Sequence, residues 1–174
     1  MFAADLPVDF VVVDRECRAI EVASRAGAAV DLVERTDFSL SFDREAYTRR
    51  LVDALVSHDI DLVAMAGFGT VLAPPAFDAF PNHIINTHPA LLPAFRGWHA
   101  VRDALAAGVK VTGCTVHVAT AEVDDGPILA QAAVEVFPDD DEASLHERIK
   151  VVERRLYIDT IGAVLEDPSK LKGS

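Results

Sequence analysis

Residues 60–68 read IDLVAMAGF, and this run decides what kind of fold to expect. After Asp61 it is almost unbroken in apolar residues, and it stops on Gly67 and Phe68. A strand with one wet face alternates polar and apolar residues. A run that is apolar on both faces suits a strand covered on both sides, as in a parallel sheet.

The chain on either side keeps that frame. Upstream, VDFVVVDR (8–15) and AAVDLVE (28–34) read as buried strands, separated by a helical ECRAIEVASRAG (16–27) that Gly27 closes. Asp43 then caps REAYTRRLVDALVSHD (44–59), whose Ala46, Leu51, Leu55 and Val56 form the expected apolar face. Downstream, HIINTH (83–88) is the next strand and GWHAVRDALAAG (97–108) a helix ending on Gly108. TGCTVHVAT (112–120) and PILAQAAVEVF (127–137) read as strands. The acidic PDDDEAS (138–144) caps a long last helix through about Leu165, with Pro168 beyond it, and the terminal KLKGS (170–174) is expected to fray. Strand–helix alternation of this kind implies an α/β layer structure with a mostly parallel sheet. At 174 residues, without repeats or a low-complexity linker, the chain reads as a single domain spanning 1–174.

Composition excludes several roles. Sixteen basic residues against 28 acidic ones leave a net charge of −12, which repels nucleic acid and anionic lipid at long range. No apolar run reaches the ~18 residues of a membrane span, and the start MFAADLPVDF has no basic n-region. Cys17 and Cys114 lie far apart with neither metal nor redox spacing, which suits a reduced cytoplasmic protein. A small anionic ligand stays admissible, because it needs only a local cation or a set of backbone N–H groups.

In open parallel sheets ligands collect at the carboxyl ends of strands. The 60–68 strand runs into Gly67-Phe68-Gly69-Thr70, where glycines two apart permit a tight turn or a close approach to a flat ligand. The spacing is not a dinucleotide fingerprint. The next strand ends in Asn86-Thr87-His88, followed by Pro89 and Pro93. Asn86 and His88 are two apart on extended chain and so share a face. An amide beside an imidazole offers an oxyanion donor and a general acid/base, which attack on a carbonyl needs. The plainer reading of His88 alone is a hydrogen-bonded, partly buried histidine.

A third stretch, ATAEVDDGPILAQ (119–131), sets Glu122, Asp124 and Asp125 before the turn Gly126-Pro127. The plainer reading is a solvated acidic loop. The functional one puts a carboxylate beside His88, raising its pKa toward imidazolium near neutral pH. His117 reads first as a hydrogen-bonded strand histidine. His58, His83, His99 and His146 fit no ligand spacing, so no metal site is expected.

Together, NTHPALLPAFRG (86–97) and TGCTVHVATAEVDDGPILAQ (112–131) resemble the glycinamide ribonucleotide formyltransferase family, the folate-dependent formyl-transferring enzymes of purine synthesis. The resemblance runs from about residue 8 to the last helix. It implies a Rossmann-like three-layer formyltransferase fold and 10-formyltetrahydrofolate as co-substrate. By position, Asn86 matches the family's asparagine on the formyl oxygen, His88 the proton-shuttling histidine, and Asp124 the aspartate behind it. Arg44, the segment Gly69, Thr70, Val71 and Leu72, and the loop of Thr120, Ala121, Glu122, Val123 and Asp124 match folate-contacting positions. Pro89 and Glu153 fall at nucleotide-substrate positions, Glu153 near the ribose hydroxyls. Small-molecule substrates are implied, with room for a homodimer.

Two departures accompany the resemblance. Gly69-Thr70 stand where the family commonly has Met-Arg, so a cation is missing there. The family opens with a strand and a Gly/Ser/Asn-rich phosphate loop that nothing here matches; VDFVVVDR resembles its second strand. The expectation is an N-terminally shortened chain without the first strand, leaving unpaired backbone and exposed apolar surface. Sibling readings are a formyltetrahydrofolate deformylase-like hydrolase, a methionyl-tRNA formyltransferase, and a non-catalytic folate-binding remnant. The first and second are families with an extra domain, and no such domain is expected here.

Overall fold

The computed structural model describes residues 1–172. Its strands are β1 (Phe10–Val13), β2 (Ala29–Leu32), β3 (Val63–Ala64), β4 (Ile84–His88), β5 (Val111–Val118) and β6 (Ile128–Glu135). Its α-helices are α1 (Arg18–Ala26), α2 (Arg44–Ser57), α3 (Pro74–Ala79), α4 (Ala100–Ala106) and α5 (Glu142–Glu166). The chain gathers into two compact units, one of Met1–Val63 with Gly67–Pro81, the other of Ala64–Ala66 with residues from 82 on.

In the first unit β1 and β2 pair in parallel, Phe10 against Ala29 through Val13 against Leu32. Val13, Ala23, Val33, Leu51 and Leu55 are buried. The α2 N-terminus forms where Asp43 accepts the Ala46 amide at 2.8 Å, a cap worth about 1 kcal/mol. Its buried face is Tyr47, Thr48, Leu51 and Leu55. Ala46 and Val56, expected on that face, are exposed instead. The periodicity fits either phase, and Tyr47 buries far more area than Ala46. Thr48 Oγ1 accepts the Ala73 amide at 3.0 Å, fixing the entry to α3. Pro74 opens α3, where a missing N–H costs nothing.

The second unit carries the sheet β4-β5-β6, to which β3 adds at the β4 edge. β4 with β5 and β5 with β6 pair antiparallel, Asn86 against His117 and Thr115 against Gln131. Strand–helix alternation announces the parallel β1–β2 pair, but β4 and β5 are antiparallel although α4 lies between them, and β5 and β6 follow one another with no helix between. The run 60–68 forms ladder structure only over Val63–Ala64, extended by the Met65 amide on the Ile85 carbonyl at 2.9 Å. Tyr157 on α5 places its buried hydroxyl 2.8 Å from the Met65 carbonyl and 2.9 Å from that of Ile85. Beneath α5 lies a core of Val101, Cys114, Val134, Leu145 and Ile149.

The last helix starts in a reciprocal cap, Asp141 accepting the Ser144 amide at 2.8 Å while Ser144 Oγ accepts the Asp141 amide at 3.0 Å. Residues Pro168–Lys172 form a 3-10 turn that buries Leu171, so 170–172 are not frayed. Gly173 and Ser174, the rest of that expectation, lie outside the described residues.

Candidate active site

β4 delivers Asn86 and His88 to one face and Thr87 to the other. Thr87 donates to Glu153 Oε1 at 2.8 Å, so Glu153 on α5 is held through Thr87 rather than through Asn86 or His88. His88 is 5% exposed. Its Nδ1 lies 3.2 Å from Asp124 Oδ2, and its Nε2 lies 2.8 Å from the Phe95 carbonyl. Both neighbours can only accept, so the doubly protonated ring satisfies both contacts and a neutral ring only one.

Asp124 is buried as well, its side chain 8% exposed. It stands at φ 53°, a left-handed conformation that aspartate tolerates better than most residues. The turn that sets it there depends on Gly126. A Cβ at Gly126 would lie 1.8 Å from the Val118 carbonyl, so no side chain fits. Asp124 Oδ2 also accepts the Gly97 amide at 2.8 Å, and Arg96 pairs with Asp125. These contacts clamp the 95–97 turn onto the acidic loop, so the loop is bound rather than merely solvated.

His117 faces Asn86 across the β4–β5 ladder, Nε2 to Nδ2 3.3 Å, and its Nδ1 lies 3.0 Å from the Val118 carbonyl. Burial pushes the His117 pKa down, partly opposed by that carbonyl and by Asp124. A neutral ring with its proton on Nδ1 donates to Val118 and accepts from the Asn86 amide, which fixes which way Asn86 points. His117 Nε2 is also 3.6 Å from Asp124 Oδ1, so the two histidines flank one carboxylate. Sequence reading gave His117 the bland role. The signal for more was its register opposite Asn86, which requires knowing that these two strands pair.

The 89–93 turn is stitched down by residues not singled out from the sequence. Thr115 Oγ1 donates to the Ala90 carbonyl at 2.7 Å and accepts the Leu92 amide at 3.0 Å. Gln131 Nε2 reaches the Leu92 carbonyl and Thr115 Oγ1, both at 2.9 Å. Pro89 is half-buried at the start of this turn. Thr120, whose hydroxyl donates to the Glu122 carbonyl at 3.0 Å, leads into Ala121, Glu122 and Val123, which are exposed.

The remaining sequence candidates belong to the first unit. Arg44 begins α2 and is exposed. Gly69 and Val71 are exposed, while Thr70 and Leu72 are buried. The Thr70 hydroxyl accepts from Arg35 Nη1 at 3.1 Å.

Comparison with known proteins agrees with this architecture. Residues 6–161 match the family model described as Formyl transferase. The chain is 51% identical over 154 residues to the phosphoribosylglycinamide formyltransferase of Mycobacterium tuberculosis, covering 88% of this chain and 70% of that protein. The crystal structure of glycinamide ribonucleotide transformylase 1 from Symbiobacterium toebii superposes with a TM-score of 0.80 at 42% identity, over 88% of this chain and 72% of that one. A formyltetrahydrofolate deformylase from Pseudomonas syringae superposes at 0.84 with 25% identity, covering 94% of this chain and 53% of the deformylase chain.

Proposed function

The chain belongs to the formyl transferase family, and on that premise we propose that residues 1–174 act as one cytoplasmic formyltransferase domain with Asn86, His88 and Asp124 at its chemical centre. It transfers a formyl group to the amine of glycinamide ribonucleotide in purine biosynthesis. The donor is 10-formyltetrahydrofolate. The observation that carries the reading is the buried Asp124 carboxylate 3.2 Å from His88 Nδ1 at the end of the strand that also presents Asn86.

The amine nitrogen attacks the formyl carbon, a C–N bond forms, and the carbonyl oxygen gains negative charge. The Asn86 amide, oriented by His117, and the protonated His88 ring stabilise that oxygen. Nε2 becomes available when the substrate replaces the Phe95 carbonyl as its partner. As the intermediate collapses, the bond to N10 of the folate breaks, and the proton lost by the amine reaches N10 through His88 or water. Tetrahydrofolate leaves and the amide product remains. No bond to the enzyme forms, and Cys114, buried under α5, takes no part. Holding both substrates in line supplies much of the acceleration.

In this proposal Arg44, Gly69, Thr70, Val71, Leu72 and the 120–124 loop contact folate, and Pro89 and Glu153 contact the nucleotide. The hydrolase reading is not favoured, because the transferases match at 51% and 42% identity and the deformylase at 25%.

The test is to follow deformylated folate by absorbance with a 10-formyl folate, in the presence and absence of glycinamide ribonucleotide. Turnover only with the nucleotide is expected. Equal turnover without it would replace the transferase by a hydrolase, and folate binding without turnover would leave a binding module.

A further inference from the structure

β6 is the edge strand of the second unit's sheet, and no described strand lies beyond it. In an antiparallel pair, opposite residues alternate between those that exchange hydrogen bonds and those that do not. The Val136 amide donates to the Lys110 carbonyl at 3.0 Å. From there the register makes Val134 and Ala132 the bonded residues, opposite Thr112 and Cys114. Gln131, Ala133 and Glu135 therefore turn their N–H and C=O groups away from β5. Arg148 Nη2 marks that direction by donating to the Glu135 carbonyl at 2.9 Å. The outward backbone groups of Gln131 and Ala133 have no partner among the described residues.

Folded proteins guard such an edge with lysine, proline or an inward charge. β6 reads ILAQAAVE, so its only charge is Glu135 at the last position, and Pro127 stands before its first. Its register shift, opposite Val116 and His117, lies at the Ile128 end and leaves residues 131–135 regular.

Beside this edge a groove of about 570 Å³ opens against α5, lined by Ile128, Leu129, Leu156, Ala163 and Val164, with Asp159 and Lys170 also on its wall. Lys170 forms no ion pair among the described residues. The carboxylate that feels it, Asp167, accepts the Ser169 amide at 3.1 Å and its hydroxyl at 2.6 Å. At the other end of β6 the Glu135 carboxylate has no ion pair among the described residues either, because Arg148 is engaged by Asp140. The edge thus has an unmatched negative charge at one end and an unmatched positive charge at the other. Val151, a turn after Arg148 on the same side of α5, is 67% exposed.

We propose that β6 pairs antiparallel with β6 of a second copy of this chain, Ala133 of each copy opposite Gln131 of the other, joining the two sheets into one. This register makes a bonded pair on either side of the two-fold axis and uses the outward N–H and C=O groups of both residues. It also sets Glu135 of each copy against Leu129 of the other, at the end where Lys170 lines the groove. A two-fold axis makes that charge match twice, whereas an unrelated strand has no reason to carry it. Val151 lies at the Glu135 end, so each copy brings an apolar side chain toward the groove of the other. Gln131 sits at the centre of the pairing, and its side chain bonds the Leu92 carbonyl and Thr115 Oγ1. The strand that joins the copies is therefore the one that backs the 89–93 turn.

The experiment combines sedimentation equilibrium of the full chain with amide hydrogen exchange at low and high protein concentration. The mass should rise from one chain to two, and exchange at the Gln131 and Ala133 amides should slow as it does. Ala133→Pro removes only an outward N–H, which an edge strand tolerates. It should keep the wild-type circular dichroism and weaken the dimer by roughly tenfold or more. Glu135→Lys and Lys170→Glu should each weaken the dimer severalfold, and the double variant should recover it. A single-chain mass at every concentration would overturn the proposal. So would a dimer whose Gln131 and Ala133 amides exchange as in the monomer, or one indifferent to all these variants. Masses beyond two chains would mean a head-to-tail contact and overturn it too. If Ala133→Pro does not fold, amide protection and recovery in the charge-swapped double variant decide.

Discussion

Asp124 Oδ2 lies 3.2 Å from His88 Nδ1 and at the same time accepts the Gly97 amide at 2.8 Å. One oxygen therefore orients the histidine and anchors the turn whose Phe95 carbonyl holds the other ring nitrogen. Replacing Asp124 with Asn keeps the shape and removes the charge, and His88→Ala removes the ring. Each should lower the transfer rate by roughly 10²–10⁴ with little change in folic acid affinity. Full rates in either variant would exclude this pair from the chemistry.

His117 should act through Asn86. Asn86→Ala is expected to cost roughly 10²–10³ in rate, the loss of one oxyanion donor. His117→Phe should lower the rate less, and it should add almost nothing in the Asn86→Ala background, because the group it positions is already gone. Additive losses would show that His117 contributes independently.

Gly126 tolerates no side chain, since a Cβ would meet the Val118 carbonyl at 1.8 Å. Gly126→Ala should destabilise the chain by about 1–3 kcal/mol in urea unfolding and displace Asp124. A variant with wild-type stability and activity would mean the turn relaxes freely.

Acid stability should report the Asp140–Arg148 pair. Hydrogen bonding from Arg148 holds the Asp140 carboxyl down to about 2, below its ordinary 3.8. A depressed carboxyl stabilises the folded state above the ordinary value and loses that contribution as pH falls through the lowered one. The gap in urea midpoint between wild type and Asp140→Asn should hold from neutral pH down to 3.8 and close toward 2. A gap that stays constant over that range would place the effect outside this carboxyl.

The two cysteines should separate by reactivity. Cys17 is exposed, while Cys114 is buried and burial pushes its thiol up to about 11. Alkylation at pH 8 should label Cys17 in the folded chain and both residues only in denaturant. Rapid labelling of Cys114 in the folded chain would show that the core beneath α5 opens readily.

The sequence by itself determined where several of the helices begin or stop. Asp43, Asp141 with Ser144, and Gly27 act within a turn of their own helices, so their effect is readable without the fold. It also placed Asn86 and His88 on one face, because a two-residue period along extended chain needs no partner. The motifs around them sufficed for the family.

Only the tertiary structure decided the rest. Which phase of α2 is buried depended on the volume of Tyr47 against its neighbours, not on periodicity. That Asp124 reaches His88, that His117 stands opposite Asn86, and that Arg35 reaches Thr70 are contacts between residues far apart in sequence. Such contacts are set by strand register and by turns like that at Gly126, where one residue of slip would turn every side chain to the other face. Local propensity carries no information about that choice; packing of the paired strands makes it.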